Sequence, residues 1–238
     1  MNKVTEIAKM IDHSILHPTL TDDDLIRECE VAKKYNVASV CVKPYAVKQA
    51  AEFLRGSDVL VGCVIGFPAG NSSIEVKAFE TETACRDGAV EIDMVINIGK
   101  ALQEDWNYIE EEIKTVVETS HRYGAITKVI FETDFVKKDN LKIKLCEICS
   151  KVKADYVKTS TGFGFVKDPD GKFSYTGATA HDLELMRKHS APEVKVKAAG
   201  GVRTLTDLLK FKELGISRCG ATATVSMIEE AKKLFGEK

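Results

Sequence analysis

A closed (β/α)8 barrel in the α/β class, folded as a single domain over residues 1–238, is the architecture this sequence predicts. Three observations lead there. The hydrophobic period switches repeatedly between 2 and 3.6, which marks strands alternating with helices. Eight strand-like runs are visible, and the chain of 238 residues is long enough for one barrel. No linker, low-complexity segment or composition shift divides it. An open doubly wound parallel sheet is the alternative arrangement of the same alternation.

The predicted strands are Ile11–Leu16, Ala38–Val42, Val59–Ile65, Val90–Asn97, Thr127–Thr133, Asp155–Lys158, Val194–Ala199 and a short one at Arg218–Gly220. Helices are predicted between them from caps and spacing. Thr21 with Asp24 starts one whose Leu25, Cys29 and Ala32 share a face, and Asn36 ends it. Ser72 with Glu75 starts a second, which stops at Gly88. Ile109, Ile113, Val116 and Val117 line a third, closed by Gly124. Thr204 with Asp207 opens a late helix that ends at Gly215.

Composition removes several function classes. Lys plus Arg total 34 and Asp plus Glu 36, a net charge of −2, so no basic surplus points to nucleic acid. No apolar stretch approaches a membrane span. The N-terminal Met1-Asn2-Lys3-Val4-Thr5-Glu6 lacks the apolar core of a signal peptide. Seven scattered cysteines, an odd number, read as reduced thiols, so a cytoplasmic location is expected. Cys146 and Cys149 form a CxxC, but they share a helical pattern with Leu141, Leu145 and Ile148, which makes them core residues. The five histidines show no metal-ligand spacing, Gly162-Phe163-Gly164 does not follow the dinucleotide fingerprint, and neither metal nor cofactor is expected.

The chemistry-bearing residues are lysines at strand ends. Lys158, in Asp155-Tyr156-Val157-Lys158-Thr159-Ser160-Thr161-Gly162, ends the sixth predicted strand. Lys197, in Val194-Lys195-Val196-Lys197-Ala198-Ala199-Gly200-Gly201, lies near the end of the seventh. A lysine in an apolar strand loses hydration, and a single one often snorkels to solvent. Two of them, each followed by a glycine turn, suggest a shared pocket in which each ammonium lowers the other's pKa. A neutral amine then attacks a carbonyl to give a Schiff base. An ordinary lysine is about 0.1% neutral near pH 7.4, and a pKa near ~7 raises that fraction several-hundredfold. Lys195 shares a face with Lys197 and competes with it for the functional role; Lys197 is preferred because it lies nearer the turn.

Asp93 alternates with Ile92 and Met94 and faces the same way as Glu91. It is either a proton relay beside a lysine or a salt-bridged structural acid. In a barrel, Lys158, Lys197 and Asp93 fall at the C-terminal mouth, where active sites lie. Asp12 and Ser14 share a face of the first strand and extend a polar network inside; His13 then points outward to pack. Cys41 lies in the second strand. The turns Gly200-Gly201-Val202-Arg203-Thr204 and Gly220-Ala221-Thr222-Ala223 follow the last two strands and open helices, the usual phosphate site of such barrels.

Taken together, these segments resemble the deoxyribose-phosphate aldolase family over nearly the whole chain. The resemblance rests on Ile11–Leu16, Ser39–Pro44, Val64–Pro68, Glu91–Gly99, Val157–Phe163 and Lys197–Arg203. It implies a TIM barrel and a metal-independent class I aldolase that cleaves 2-deoxy-D-ribose 5-phosphate to glyceraldehyde 3-phosphate and acetaldehyde. It further implies Lys158 as the Schiff-base nucleophile, Lys197 as the lysine that depresses its pKa and Asp93 as the proton relay. The substrate would meet Asp12, Ser14, Cys41 and Thr161, and its phosphate would bind at Gly162, Gly200, Gly201, Val202, Arg203, Gly220 and Thr222. The partner implied is a small sugar phosphate, with neither nucleic acid nor membrane, and a homo-oligomer is expected.

Three departures accompany the resemblance. Thr222 is followed by Ala223 where many members carry a second hydroxyl. The segment Gly164–Thr176 is longer than usual and hangs over the mouth. The chain ends Phe235-Gly236-Glu237-Lys238, without the tail tyrosine of some members. The alternatives are a Schiff-base aldolase for another sugar phosphate, and a catalytically silent barrel that only binds sugar phosphates.

Overall fold

The computed structural model describes residues 2–236; Met1, Glu237 and Lys238, the ends of the expected domain and of the tail named above, lie outside the described residues. The chain runs through strands β1 (Ile11–Ile15), β2 (Ser39–Val42), β3 (Leu60–Ile65), β4 (Glu91–Val95), β5 (Ile126–Ile130) and β6 (Tyr156–Lys158). A two-stranded hairpin, β7 (Val166–Lys167) and β8 (Phe173–Ser174), precedes β9 (Lys195–Ala199) and β10 (Arg218–Ala221). All pairings among the other eight strands are parallel, and β1 closes on β10. This is the closed (β/α)8 TIM barrel, not the open sheet. Each predicted strand is present; six are shortened by one to three residues, β5 starts one residue earlier and ends three earlier than predicted, and β10 runs one residue further, to Ala221.

Helices α1 (Lys3–Ala8), α2 (Asp22–Tyr35), α3 (Val47–Phe53), α4 (Ile74–Arg86) and α5 (Ile98–Leu102) accompany the first half. Helices α6 (Trp106–Arg122), α7 (Asp139–Lys151), α8 (Ala180–His189), α9 (Leu205–Glu213) and α10 (Thr224–Phe235) accompany the second. Thr21 and Asp24 form the predicted capping box on α2, and Asn36 ends it in the left-handed region at φ 47°. The start of α4 differs by one residue. Ser73, not Ser72, accepts from the Val76 amide, because its extended backbone aims the hydroxyl at the first turn. Cys146 and Cys149 are buried in α7 as expected, and burial raises both thiol pKa values.

The apolar core lies between the strands and the helices. Ile11, Val40, Ile92, Val129, Val157 and Val196 are each fully buried there. Each such side chain contributes about 1.5–3 kcal/mol. His13 also points outward, as expected: its ring bonds Thr224 Oγ1 at 2.7 Å and Glu28 Oε2 at 2.9 Å. Strand alternation therefore sends the other set of side chains into the barrel, and that set holds the charged residues together with Cys41, Val64 and Ile130. Among the described residues no helix is long and apolar enough to cross a membrane.

Candidate active site

Seven charged side chains meet inside the barrel. Asp93 on β4 is fully buried, and its Oδ2 accepts from Lys158 Nζ and Lys197 Nζ, both at 2.7 Å. Its Oδ1 accepts from Lys128 Nζ on β5, also at 2.7 Å. Lys128 donates to Glu91 Oε2 at 2.7 Å as well. Asp12 on β1 accepts from Ser39 Oγ at 2.8 Å and pairs with Lys197 Nζ at 2.5 Å. Arg218 on β10 bridges Asp12 and Glu91 from below. Burial of ions costs several kcal/mol each, and only dense mutual pairing offsets it.

The charges do not balance. Lys128, Lys158, Lys197 and Arg218 face Asp12, Glu91 and Asp93, so full ionisation leaves one positive charge in surplus. The group most easily discharged is Lys158. Burial lowers its pKa; Asp93 opposes this and the Lys197 cation adds to it. Lys197 goes the other way, which corrects the expectation that the two ammonium groups lower each other. Burial disfavours its charge, but the carboxylates of Asp12 and Asp93 outweigh that and raise its pKa. Asp93 is held well below the usual carboxylate range, because three lysines outweigh the cost of burial. The result is one dischargeable amine beside one fixed cation.

Lys195 is not part of this cluster. It is exposed at the opposite end of β9, with its ammonium 5.7 Å from the Tyr156 ring centroid. Two residues of strand, about 6.6 Å, carry it from the mouth to the floor of the barrel.

A cavity of about 210 Å³ opens at the C-terminal end of the strands, and Lys158, Lys197 and Asp93 are not among the residues that line it. Ser14, Thr161, Gly162, Gly200, Gly201, Val202, Arg203, Gly220 and Thr222, all expected at the substrate, line it. Asp12 and Cys41, expected with them, do not. Asp12 lies deeper, under Lys197, and Cys41 packs with Leu16, Val64, Phe67 and Phe163 into an apolar wall. Burial pushes the Cys41 thiol up to about 11, so it is neutral. Gly220 joins the cavity to the cluster: a Cβ there would lie 3.6 Å from Lys197 Cε and 3.8 Å from Ser14 Oγ.

The two helix N-termini at the rim differ. Thr204 caps α9, accepting from the Asp207 amide at 3.1 Å. Ala223 precedes α10 and supplies no side-chain cap, so the first-turn amides of α10 are free to hold an anion.

Sequence reasoning passed over Lys128, Arg218 and Glu132. Lys128 and Arg218 carried the same signal as Lys158, a cation within a β-run. Glu132 follows β5 with a left-handed φ of 55° and is fully buried. It accepts from the Thr161 amide at 3.2 Å and from the Thr161 hydroxyl, which itself accepts from Phe163 N at 2.9 Å. Glu132 thus fixes the turn after Lys158, and strain of about 1–3 kcal/mol is retained there. A carboxylate closing the run Val129-Ile130-Phe131 was its only sequence signal. Elsewhere the fold brings Asp139, His181 and Asp182 together, a set that sequence spacing did not show. The Lys142 ammonium already pairs with Asp139, at 2.9 Å, and with Asp182.

Comparison with known proteins decides the family. The model of the DeoC/LacD family aldolases matches residues 6–224. This chain belongs to that family. Its relatives include a deoxyribose-phosphate aldolase of Rhodopirellula baltica, 47% identical over 231 residues, covering 97% of this chain and 91% of the relative. Another, of Bacillus mycoides, is 49% identical over 222 residues and covers 93% and 94%. Among solved structures, the tetrameric deoxyribose phosphate aldolase of Aeropyrum pernix superposes with a TM-score of 0.85 at 26% identity, covering 97% of this chain and 93% of that one. Schiff-base chemistry is general to the class I enzymes of this family, and Lys158 is the buried lysine of this cluster whose pKa is lowered.

Proposed function

We propose that the protein is a class I aldolase that cleaves 2-deoxy-D-ribose 5-phosphate to D-glyceraldehyde 3-phosphate and acetaldehyde. The observation that carries this is the buried Lys158 amine, bonded to Asp93 Oδ2 at 2.7 Å beside the Lys197 cation and lowered in pKa by burial and by that cation, close to a cavity rimmed with glycine turns. Lys158 attacks the C1 aldehyde, and loss of water leaves an iminium. Deprotonation of the C3 hydroxyl then breaks C2–C3, with the electron pair held as an enamine on Lys158. Protonation at C2 and hydrolysis release acetaldehyde. Asp93 acts as a conduit for these protons. With so low a pKa it does not store one, but it accepts from an ammonium as it delivers to the substrate oxygen. A cytoplasmic location and a homo-oligomer belong to the same reading. A retro-aldol assay with deoxyribose 5-phosphate, run with and without EDTA, tests it; turnover insensitive to EDTA is expected. No cleavage would leave two readings, a Schiff-base aldolase for another sugar phosphate and the silent sugar-phosphate binder.

Lys197→Leu tests the charge argument. Removing this cation deletes the surplus charge and frees Asp93 to hold Lys158 as an ammonium. Both effects raise the Lys158 pKa, so the acid limb of the pH–rate profile moves to higher pH. Each pK unit, about 1.36 kcal/mol, removes tenfold of the neutral amine at a fixed pH below it. An unmoved limb would mean that Lys197 does not tune Lys158.

The phosphate site has its own test. Gly201 sits at φ +75°, where a side chain strains the backbone. Gly201→Ala adds that strain and a 3.1 Å approach of its Cβ to Thr176 O, and Gly201→Asp adds a negative charge at the turn as well. Relative to Gly201→Ala, Gly201→Asp is expected to raise KM for deoxyribose 5-phosphate at least roughly tenfold and to spare unphosphorylated deoxyribose. Equal losses on both sugars would make the turn purely structural.

A further inference from the structure

The segment Gly164–Thr176 folds as the β7–β8 hairpin, with Val166 and Lys167 pairing Ser174 and Phe173. Its return strand is tied to the glycine turn after β9. Asp134 accepts from Thr176 N at 2.6 Å and from Gly177 N at 3.0 Å. Ala178 N donates to Gly200 O at 3.1 Å. The two chains touch so closely that a Cβ on Gly177 would meet Gly200 O at 2.4 Å. The residue just before this anchored stretch is Tyr175. Its ring is braced edge-on by Phe165, with centroids 5.3 Å apart, and it lines the same cavity as Gly200, Gly201 and Arg203. Among the described residues nothing accepts from or donates to its hydroxyl.

Resting on the aldolase reading, we propose that Tyr175 is a specificity-determining residue whose phenol donates a hydrogen bond to the substrate's phosphate. The placement follows from the two ends of the substrate. The carbonyl must reach Lys158 among the buried charges, which leaves the phosphate at the rim, near the free amides of α10 and the Gly200–Gly201 turn. Tyr175 closes that rim on the hairpin side. A phenol held by an anchored backbone and an edge-on aromatic neighbour donates to a phosphate oxygen with little loss of conformational freedom.

Tyr175→Phe keeps the ring and its contact with Phe165 and deletes only the donor. Its KM for deoxyribose 5-phosphate is expected to rise roughly tenfold, the order of a hydrogen bond to a charged group. kcat and the cleavage of unphosphorylated deoxyribose should not change. Inorganic phosphate, used as a competitive inhibitor, should weaken by the same factor. An unchanged KM together with unchanged phosphate inhibition overturns the proposal, and so does an equal loss on both sugars. If the wild-type protein does not cleave deoxyribose 5-phosphate, the aldolase reading fails separately. The phosphate-induced rise in melting temperature then decides the role of Tyr175: a smaller rise in Tyr175→Phe supports it, and an equal rise overturns it.

Discussion

Incubation with acetaldehyde and borohydride is expected to place a two-carbon adduct on Lys158, and Lys158→Met to lose both the adduct and retro-aldol turnover. The expected loss is on the order of 10³-fold or more, because the covalent route has no other dischargeable amine in the cluster. Met matches the length and the neutral state of the reacting lysine. The variant should also fold, for a reason visible in the charges. Removing Lys158 leaves Lys128, Lys197 and Arg218 facing Asp12, Glu91 and Asp93, so the buried cluster becomes balanced. The melting temperature should therefore stay level or rise. Peptide mass spectrometry locates the adduct, and modification confined to Lys195 or Lys197 would overturn the assignment.

Asp93→Asn is expected to fail in the opposite pattern. The same four cations would then face only Asp12 and Glu91, and the three lysines on Asp93 would lose their shared anion. Breaking a buried ion pair costs about 3–5 kcal/mol. For a chain of this size that is a fall in melting temperature of roughly 6–20 °C. Turnover per folded molecule should also fall by about 10²–10⁴-fold, the usual contribution of general acid–base help. Measuring both on one preparation separates the roles. A lower melting temperature with near-normal turnover would make Asp93 a structural acid only.

Much of this site was legible before folding. Lys158 and Lys197 stand out because a cation in an apolar run is costly to bury, and Asp93 because it alternates with Ile92 and Met94. The same signals marked Lys128, in Thr127-Lys128-Val129, and Arg218, yet Lys128 has no glycine turn after it and Arg218 opens its strand instead of ending it, so neither drew attention. The register of the barrel is what pairs them. Asp93 lies opposite Lys128, and Lys158 opposite Lys197, across adjacent strands. Lys195 illustrates the same limit. Alternation gives the face of a strand residue, but its height along the barrel axis decides whether it meets the site or solvent.

By itself, the sequence determined the alternation of eight strands with helices, the caps at Thr21 and Thr204, and the residue types at the strand ends. These depend on neighbours a few positions away, through backbone hydrogen bonds and side-chain periodicity. Only the tertiary structure decided which charges meet and what each becomes. The Lys158 pKa is lowered and the Lys197 pKa is raised, although both are buried lysines at neighbouring strand ends. The difference is Asp12, which touches Lys197 and comes from a strand more than 180 residues away in the chain. A pKa depends on distances in space, and strand closure alone sets those distances. The hairpin shows the same dependence. Its length was visible, but only the contact of Gly177 with Gly200 places Tyr175 at the rim, because two backbones approach that closely only where neither carries a Cβ.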